Sequence, residues 1–104
     1  MQIDARLTDA AILEQLGGRL KRTRLQRNLT QRRLAEEAGV SLATIRNLEG
    51  GKPSQLVTLI RALRVLGLLG GLERAVPEPP PSPIEELRMR GRERKRASAP
   101  RSGP

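Results

Sequence analysis

The sequence predicts a small all-α fold of five helices with a basic tail behind it, and three observations predict it. Apolar residues recur at helical spacing from Ile12 to about Val76. Ser, Thr or Asp stands before most of these runs, and Gly or Asn follows them. After Val76 the chain turns to Pro-Glu-Pro-Pro-Pro-Ser-Pro and then to an Arg-rich run, with too few apolar residues to join a core. The division is an N-terminal arm over 1–8, a domain over 9–76, and a Pro-rich linker with a basic tail over 77–104.

Residues 2–7 alternate apolar and polar, with Ile3, Ala5 and Leu7 on one side, and read as a short strand. A lone strand beside helices has no partner for its backbone groups. Pairing with the same residues of a two-fold mate is therefore expected, with Ile12, Leu13 and Leu16 behind the arm in the dimer contact. Thr8 or Asp9 caps the first helix, which carries Ile12, Leu13, Leu16 and Leu20 and stops at Asn28. Gly17-Gly18 weakens this helix and is expected to bend or divide it.

Thr30 caps a second helix, Gln31 to Ala38, with Leu34, Ala35 and Ala38 inward and Gly39 as its stop. Ser41 caps a third helix through Glu49, with Ile45 and Leu48 inward and Gly50-Gly51 after it. Ser54 is expected to cap a fourth helix to about Leu66, whose Leu56, Leu59, Ile60, Leu63 and Leu66 form one core stripe. A fifth helix spans about Leu68 to Val76. In the tail, Ser82-Pro83-Ile84-Glu85 has the pattern of a capping box with Pro at the first helical position. Residues 83–96 are expected to become helical on binding, and 97–104 to be unstructured.

Charge and composition narrow the function. The 104 residues hold 20 Lys+Arg against 11 Asp+Glu, a formal net charge of +9. Such a surplus attracts polyanions. His, Cys and Tyr are all absent, which removes most general bases, nucleophile pairs and transition-metal sites. An enzyme is not expected, and neither a cofactor nor a metal is implied. Phe and Trp are absent too, so the stacking platforms of single-strand binders are missing and duplex DNA is the better match. No signal peptide is legible, and no apolar run approaches the ~20 residues of a membrane span. A cytoplasmic, nucleoid-associated protein without a membrane partner is expected.

Residues 30–51 read TQRRLAEEAGVSLATIRNLEGG. Ala35 is a small residue at a helix crossing, Gly39 makes the turn four residues later, and Val40, Ile45 and Leu48 anchor the next helix. That spacing lets one helix rest on the DNA backbone while the other enters the major groove. At ~100° per residue, Ile45 and Leu48 define the buried side of helix 42–49. Ala43, Arg46 and Asn47 point away from it, with Leu42 and Thr44 on the flanks. Asn47 suits adenine, Arg46 guanine or phosphate, and Leu42 and Ala43 a thymine methyl. Between residues 19 and 33, Arg19, Lys21, Arg22, Arg24, Arg27, Arg32 and Arg33 stand without an acidic residue and suit backbone contacts.

The motif resembles the phage-repressor-like (XRE) helix-turn-helix family over about residues 17–72. The resemblance implies that 42–49 is the recognition helix and that Gln31 binds a phosphate. It also implies that Arg24 and Glu49 form a structural ion pair. Arg32, Ser41, Thr44 and Lys52 complete the expected phosphate-contacting set. Longer stretches, QIDARLTDAAILEQLGGRLKRTRLQRNLTQ, LIRALRVLGLLGGLERAVPEP and SPIEELRMRGRERKRA, are similar to HipB-type antitoxins. That likeness implies a homodimeric repressor of its own operon, binding operator DNA and a HipA-like serine/threonine kinase toxin. Two other readings stand beside it: a free-standing repressor without a toxin, and a basic RNA-associated adaptor.

Overall fold

The computed structural model describes residues 2–98. It contains six helices: α1 Asp9–Gln26, α2 Gln31–Ala38, α3 Leu42–Glu49, α4 Leu56–Val65, α5 Gly70–Ala75 and α6 Pro83–Ser98. No strand occurs among the described residues. The fold is all-α, as its apolar spacing predicts.

The expected strand over 2–7 does not form, and the reason is local. The Asp4 carboxylate accepts the Arg6 backbone N–H at 2.9 Å and its guanidinium at 3.0 Å, and the Leu7 N–H bonds to the Asp4 carbonyl at 3.2 Å. A turn closed in this way satisfies backbone groups that a strand would offer to a partner. In this chain Ala5 and Leu7 stand in the turn and not in an extended run. The Arg6 guanidinium and then its backbone N–H hold the Asp4 carboxyl below its usual range. The turn is therefore fully favoured above the usual carboxyl range and is lost as pH falls through the lowered value.

Capping sets the helix starts. Thr8 accepts from Ala11, Thr30 from Arg33 and Ser41 from Thr44, each at 3.0–3.1 Å. The first four helices share one way of stopping. The residues Asn28, Gly39, Gly51 and Gly67 take positive φ. In each case the following N–H reaches back five residues: Leu29 to Arg24, Val40 to Ala35, Lys52 to Asn47 and Leu68 to Leu63. This left-handed closure satisfies carbonyls that a helix end leaves open. At Gly51 the demand is doubled, because a Cβ there would lie 2.9 Å from the Glu14 Cα.

Three expectations need correction. Helix α1 runs unbroken through Gly17-Gly18. The N-cap of α4 is Gln55, without a side-chain cap bond, while Ser54 donates instead to the Lys52 carbonyl. Leu56 is 68% exposed rather than core, and Ile60 and Leu63 are only half-buried. The inward face of α4 is instead Thr58 and Ala62, continued by Leu66. Small side chains at 58 and 62 let α4 lie close on its neighbours, which rotates the leucine stripe partly toward solvent.

The core joins Leu20, Leu34, Ala35, Ile45 and Leu66, with Leu29, Val40, Leu48, Leu59, Leu63, Val65 and Leu68 packed around them. Helix α2 packs on α3 and α4, and α1 packs on α3. The tail helix α6 is helical in the chain alone, where the sequence suggested a helix only on binding. Its expected capping box is present: Ser82 Oγ accepts the Glu85 N–H at 3.1 Å, and the Glu85 carboxylate faces the Ser82 N–H at 3.5 Å. Residues 99–104, the rest of the expected unstructured end, lie outside the described residues. Among the described residues no helix is long and apolar enough to cross a membrane.

Candidate nucleic-acid interface

The site is built around the orientation of α3. Ile45 is fully buried and Glu49 nearly so, which fixes one side of this eight-residue helix against the core. The opposite side is thereby presented outward: Ala43, Arg46 and Asn47 are exposed, and Leu42 and Thr44 are half-buried on the flanks. Ser41 holds the helix start through its bond to the Thr44 N–H, and its hydroxyl lies 2.7 Å from the Thr44 hydroxyl.

The C-terminal end of α3 is held by a buried polar hub. The Glu49 Oε2 accepts Arg24 Nε at 2.6 Å, and its Oε1 accepts Arg24 Nη2 at 3.1 Å. The remaining Arg24 nitrogen, Nη1, donates to the Leu29 carbonyl at 2.7 Å. Gln31 Nε2 donates to the same Glu49 Oε1 at 3.0 Å. The Arg24–Glu49 pair therefore ties together the end of α1, the α1–α2 loop, the start of α2 and the end of α3. A planar guanidinium is suited to this role, because its donors match a carboxylate two at a time. No buried side-chain nitrogen or oxygen lacks a partner among the described residues.

The expected phosphate-contacting residues are distributed around this frame. Gln31 is half-buried and shares one amide N–H with Glu49, so its side-chain carbonyl and second N–H are the groups left to face a ligand. Arg32, Ser41 and Lys52 are exposed. Arg32, Arg46 and Lys52 form no ion pair among the described residues, whereas Arg33 pairs with Glu37 at 3.1 Å. Arg61 donates to the Gly39 carbonyl at 3.2 Å and so pins α4 to the α2–α3 turn.

Two recesses adjoin α3. A polar one of about 290 Å³ is lined by Thr44, Asn47, Pro53, Ser54, Gln55 and Thr58. It places the loop 51–55 beside Asn47, a neighbourhood the sequence reading did not assign. An apolar one of about 170 Å³ lies between Leu13, Leu16, Leu48, Leu56 and Leu59. Of the residues expected at a dimer contact, Leu13 and Leu16 border this recess, Ile12 and Ile3 are half-buried, and Ala5 is exposed. Leu7 is half-buried within the Asp4 turn.

The sequence also missed the part played by Gly17. A Cβ on Gly17 would lie 2.6 Å from both the Glu49 and Leu48 carbonyl oxygens. Helix α1 thus crosses the end of α3 at backbone distance, and only glycine fits there. The double glycine inside a helical pattern was the available signal, since an interior glycine often marks a close approach.

A small core, a capped pair of helices joined by a tight turn, and an outward polar face on the second helix define a DNA-binding bihelical domain. The family model described as a helix-turn-helix domain matches residues 15–76, and the chain belongs to that family. No curated protein matches the chain.

Proposed function

We propose that the protein is a sequence-specific, double-stranded DNA-binding transcriptional repressor that acts as a homodimer, with residues 9–76 as its DNA-binding unit. The observation that carries this is the fixed presentation of Ala43, Arg46 and Asn47 by a helix whose other side holds Ile45 and Glu49 in the core. Asn47 reads adenine and Arg46 reads guanine or grips phosphate, while Leu42 and Ala43 meet a thymine methyl. Gln31, Arg32, Ser41, Thr44 and Lys52 hold the DNA backbone on either side. Asn47→Ala is expected to cost about 1–3 kcal/mol of operator binding and to relax preference at one base pair per half-site. Arg46→Ala weakens binding as well. Affinities for a panel of operator variants check this, and unchanged affinity and preference in both variants would remove the assignment.

A single short recognition helix reads too few bases for specificity, which supports a two-fold dimer on a pseudo-palindromic site. Half-sites are expected about one DNA turn apart, roughly 10 bp. Leu13 and Leu16, on the apolar recess shared with Leu56, are accessible for such a contact. Sedimentation at micromolar concentration is expected to give a dimer; a monomer bound to an asymmetric site would contradict it.

The narrower reading is an antitoxin that represses its own operon and neutralises a HipA-like serine/threonine kinase toxin. Its support is the similarity of the stretches at 2–31, 59–79 and 82–97 to HipB-type antitoxins. A kinase-like reading frame beside the gene, and co-purification of its product with this protein, are the expected findings. Absence of both would leave a free-standing repressor. Its place of action is the cytoplasm, on the nucleoid.

A further inference from the structure

We infer that α6 is a second DNA-binding element, which grips the phosphate backbone of the duplex flanking the site read by α3. The inference rests on the duplex-DNA reading above and extends it to a part of the chain outside the helix-turn-helix. Every side chain from Pro83 to Arg92 is exposed, so nothing in the domain accounts for this helix by burial. It is organised by charge instead. Glu85 and Glu86 occupy its first turn behind the Ser82 cap, and six of the nine residues from 88 to 96 are basic, Arg88, Arg90, Arg92, Arg94, Lys95 and Arg96, with Glu93 the one acid among them. Acids at the start and bases at the end both complement the helix dipole.

Its pattern fits a polyanion and not a protein groove. A groove-binding helix needs apolar anchors repeating at three- and four-residue steps over several turns. Here Ile84 and Leu87 make one such step, and the next positions on that face are Gly91 and Arg94. The basic residues do repeat: at ~100° per residue the helical register brings positions 88, 92, 95 and 96 into one sector. Duplex DNA is the polyanion within reach. The linker 77–82 holds four prolines and no regular structure. At ~3.1 Å per residue it spans about 19 Å, and α6 at ~1.5 Å per residue adds about 24 Å. Together they reach slightly more than one DNA turn beyond the domain.

The test compares the full chain with a variant carrying Gln at positions 88, 90, 92, 94, 95 and 96, a residue that keeps helix propensity. Both are titrated, across salt, onto a selected duplex site with flanks of about 5 bp or about 20 bp, and onto a scrambled duplex. About four phosphate contacts correspond to a slope change near 3.6 in log affinity against log salt. On long flanks the affinity ratio of parent to variant is then expected to change on the order of 100-fold between 50 and 200 mM salt. On short flanks the two proteins should nearly coincide. Equal affinity, slope and flank dependence for both proteins would overturn the inference, even if the tail then captured RNA or a protein. Discrimination between selected and scrambled sites reports separately on α3. If the parent fails to discriminate while the tail still steepens the slope on long flanks, the sequence-specific reading falls and the role of α6 stands.

Discussion

Gly17→Ala is expected to lower the melting temperature by about 8–16 °C, while Gly18→Ala raises it by several degrees. The two substitutions are chemically identical and adjacent on one helix. Each removes the roughly 1 kcal/mol disadvantage of glycine inside a helix. At Gly18 the new Cβ meets only the Arg22 Nη1, at 3.3 Å, the far end of a side chain that can swing away. At Gly17 it meets the carbonyl oxygens of Leu48 and Glu49 at 2.6 Å and the Glu49 carbonyl carbon at 2.9 Å. Those are backbone atoms with other duties. The Leu48 carbonyl accepts the Gly51 N–H in the left-handed closure of α3, and Glu49 carries the Arg24–Gln31 hub. Relief requires α1 and α3 to part. Forcing extra volume into such a contact costs about 1–3 kcal/mol and occasionally more, and a rigid backbone partner puts this case at the upper end. For a domain of this size 1 kcal/mol is about 4–8 °C in melting temperature. Circular dichroism melts of the two variants provide the check. A rise in both would mean that the helix crossing yields easily.

Arg24→Ala and Glu49→Ala are each expected to cost about 3–5 kcal/mol of stability. The side chains are only 6% and 3% exposed, so whichever charge remains is stranded away from water. Losing Arg24 also removes the donor from the Leu29 carbonyl, and losing Glu49 removes the acceptor from Gln31. Arg24→Lys should recover little, because a single ammonium cannot serve both carboxylate oxygens and the Leu29 carbonyl in the same geometry. The double variant Arg24→Met with Glu49→Leu should regain most of the loss, since a packed apolar pair carries no desolvation cost. Urea midpoints for the singles and the double measure the coupling. Native-like unfolding of the singles together with lost operator binding would instead move the pair into the DNA interface.

The start and end signals that were legible are those acting within a few residues. Thr30 and Ser41 accept N–H groups three positions on, and Gly39 closes α2 in the left-handed conformation its sequence position predicts. With α3 framed in this way, helical period alone assigns Ile45 inward and Arg46 and Asn47 outward. Asp4 shows a local signal misjudged. The apolar alternation of Ile3, Ala5 and Leu7 has strand period, but a short Asp side chain bonding two residues ahead competes with extended structure, and here it wins. At α4 the leucines carried a real helical period but did not reveal which neighbours they would meet. Burial went to Thr58 and Ala62, whose size permits close approach, and Leu56 was left at the rim of the apolar recess.

By itself, then, the sequence determined the all-α class, the limits of α2 and α3, the basic charge, and the side chains offered on the outward face of α3. These depend on capping bonds and on a period of 3.6, both set by near neighbours along the chain. Only the tertiary structure decided that Gly17 is the point where α1 meets the α3 backbone. It likewise placed Gln31 in the hub, 18 residues from Glu49, beside the Arg24–Glu49 pair that the family resemblance already implied across 25 residues. Those contacts depend on how helices cross, and crossing is settled by the packing of several side chains at once, which no local spacing encodes.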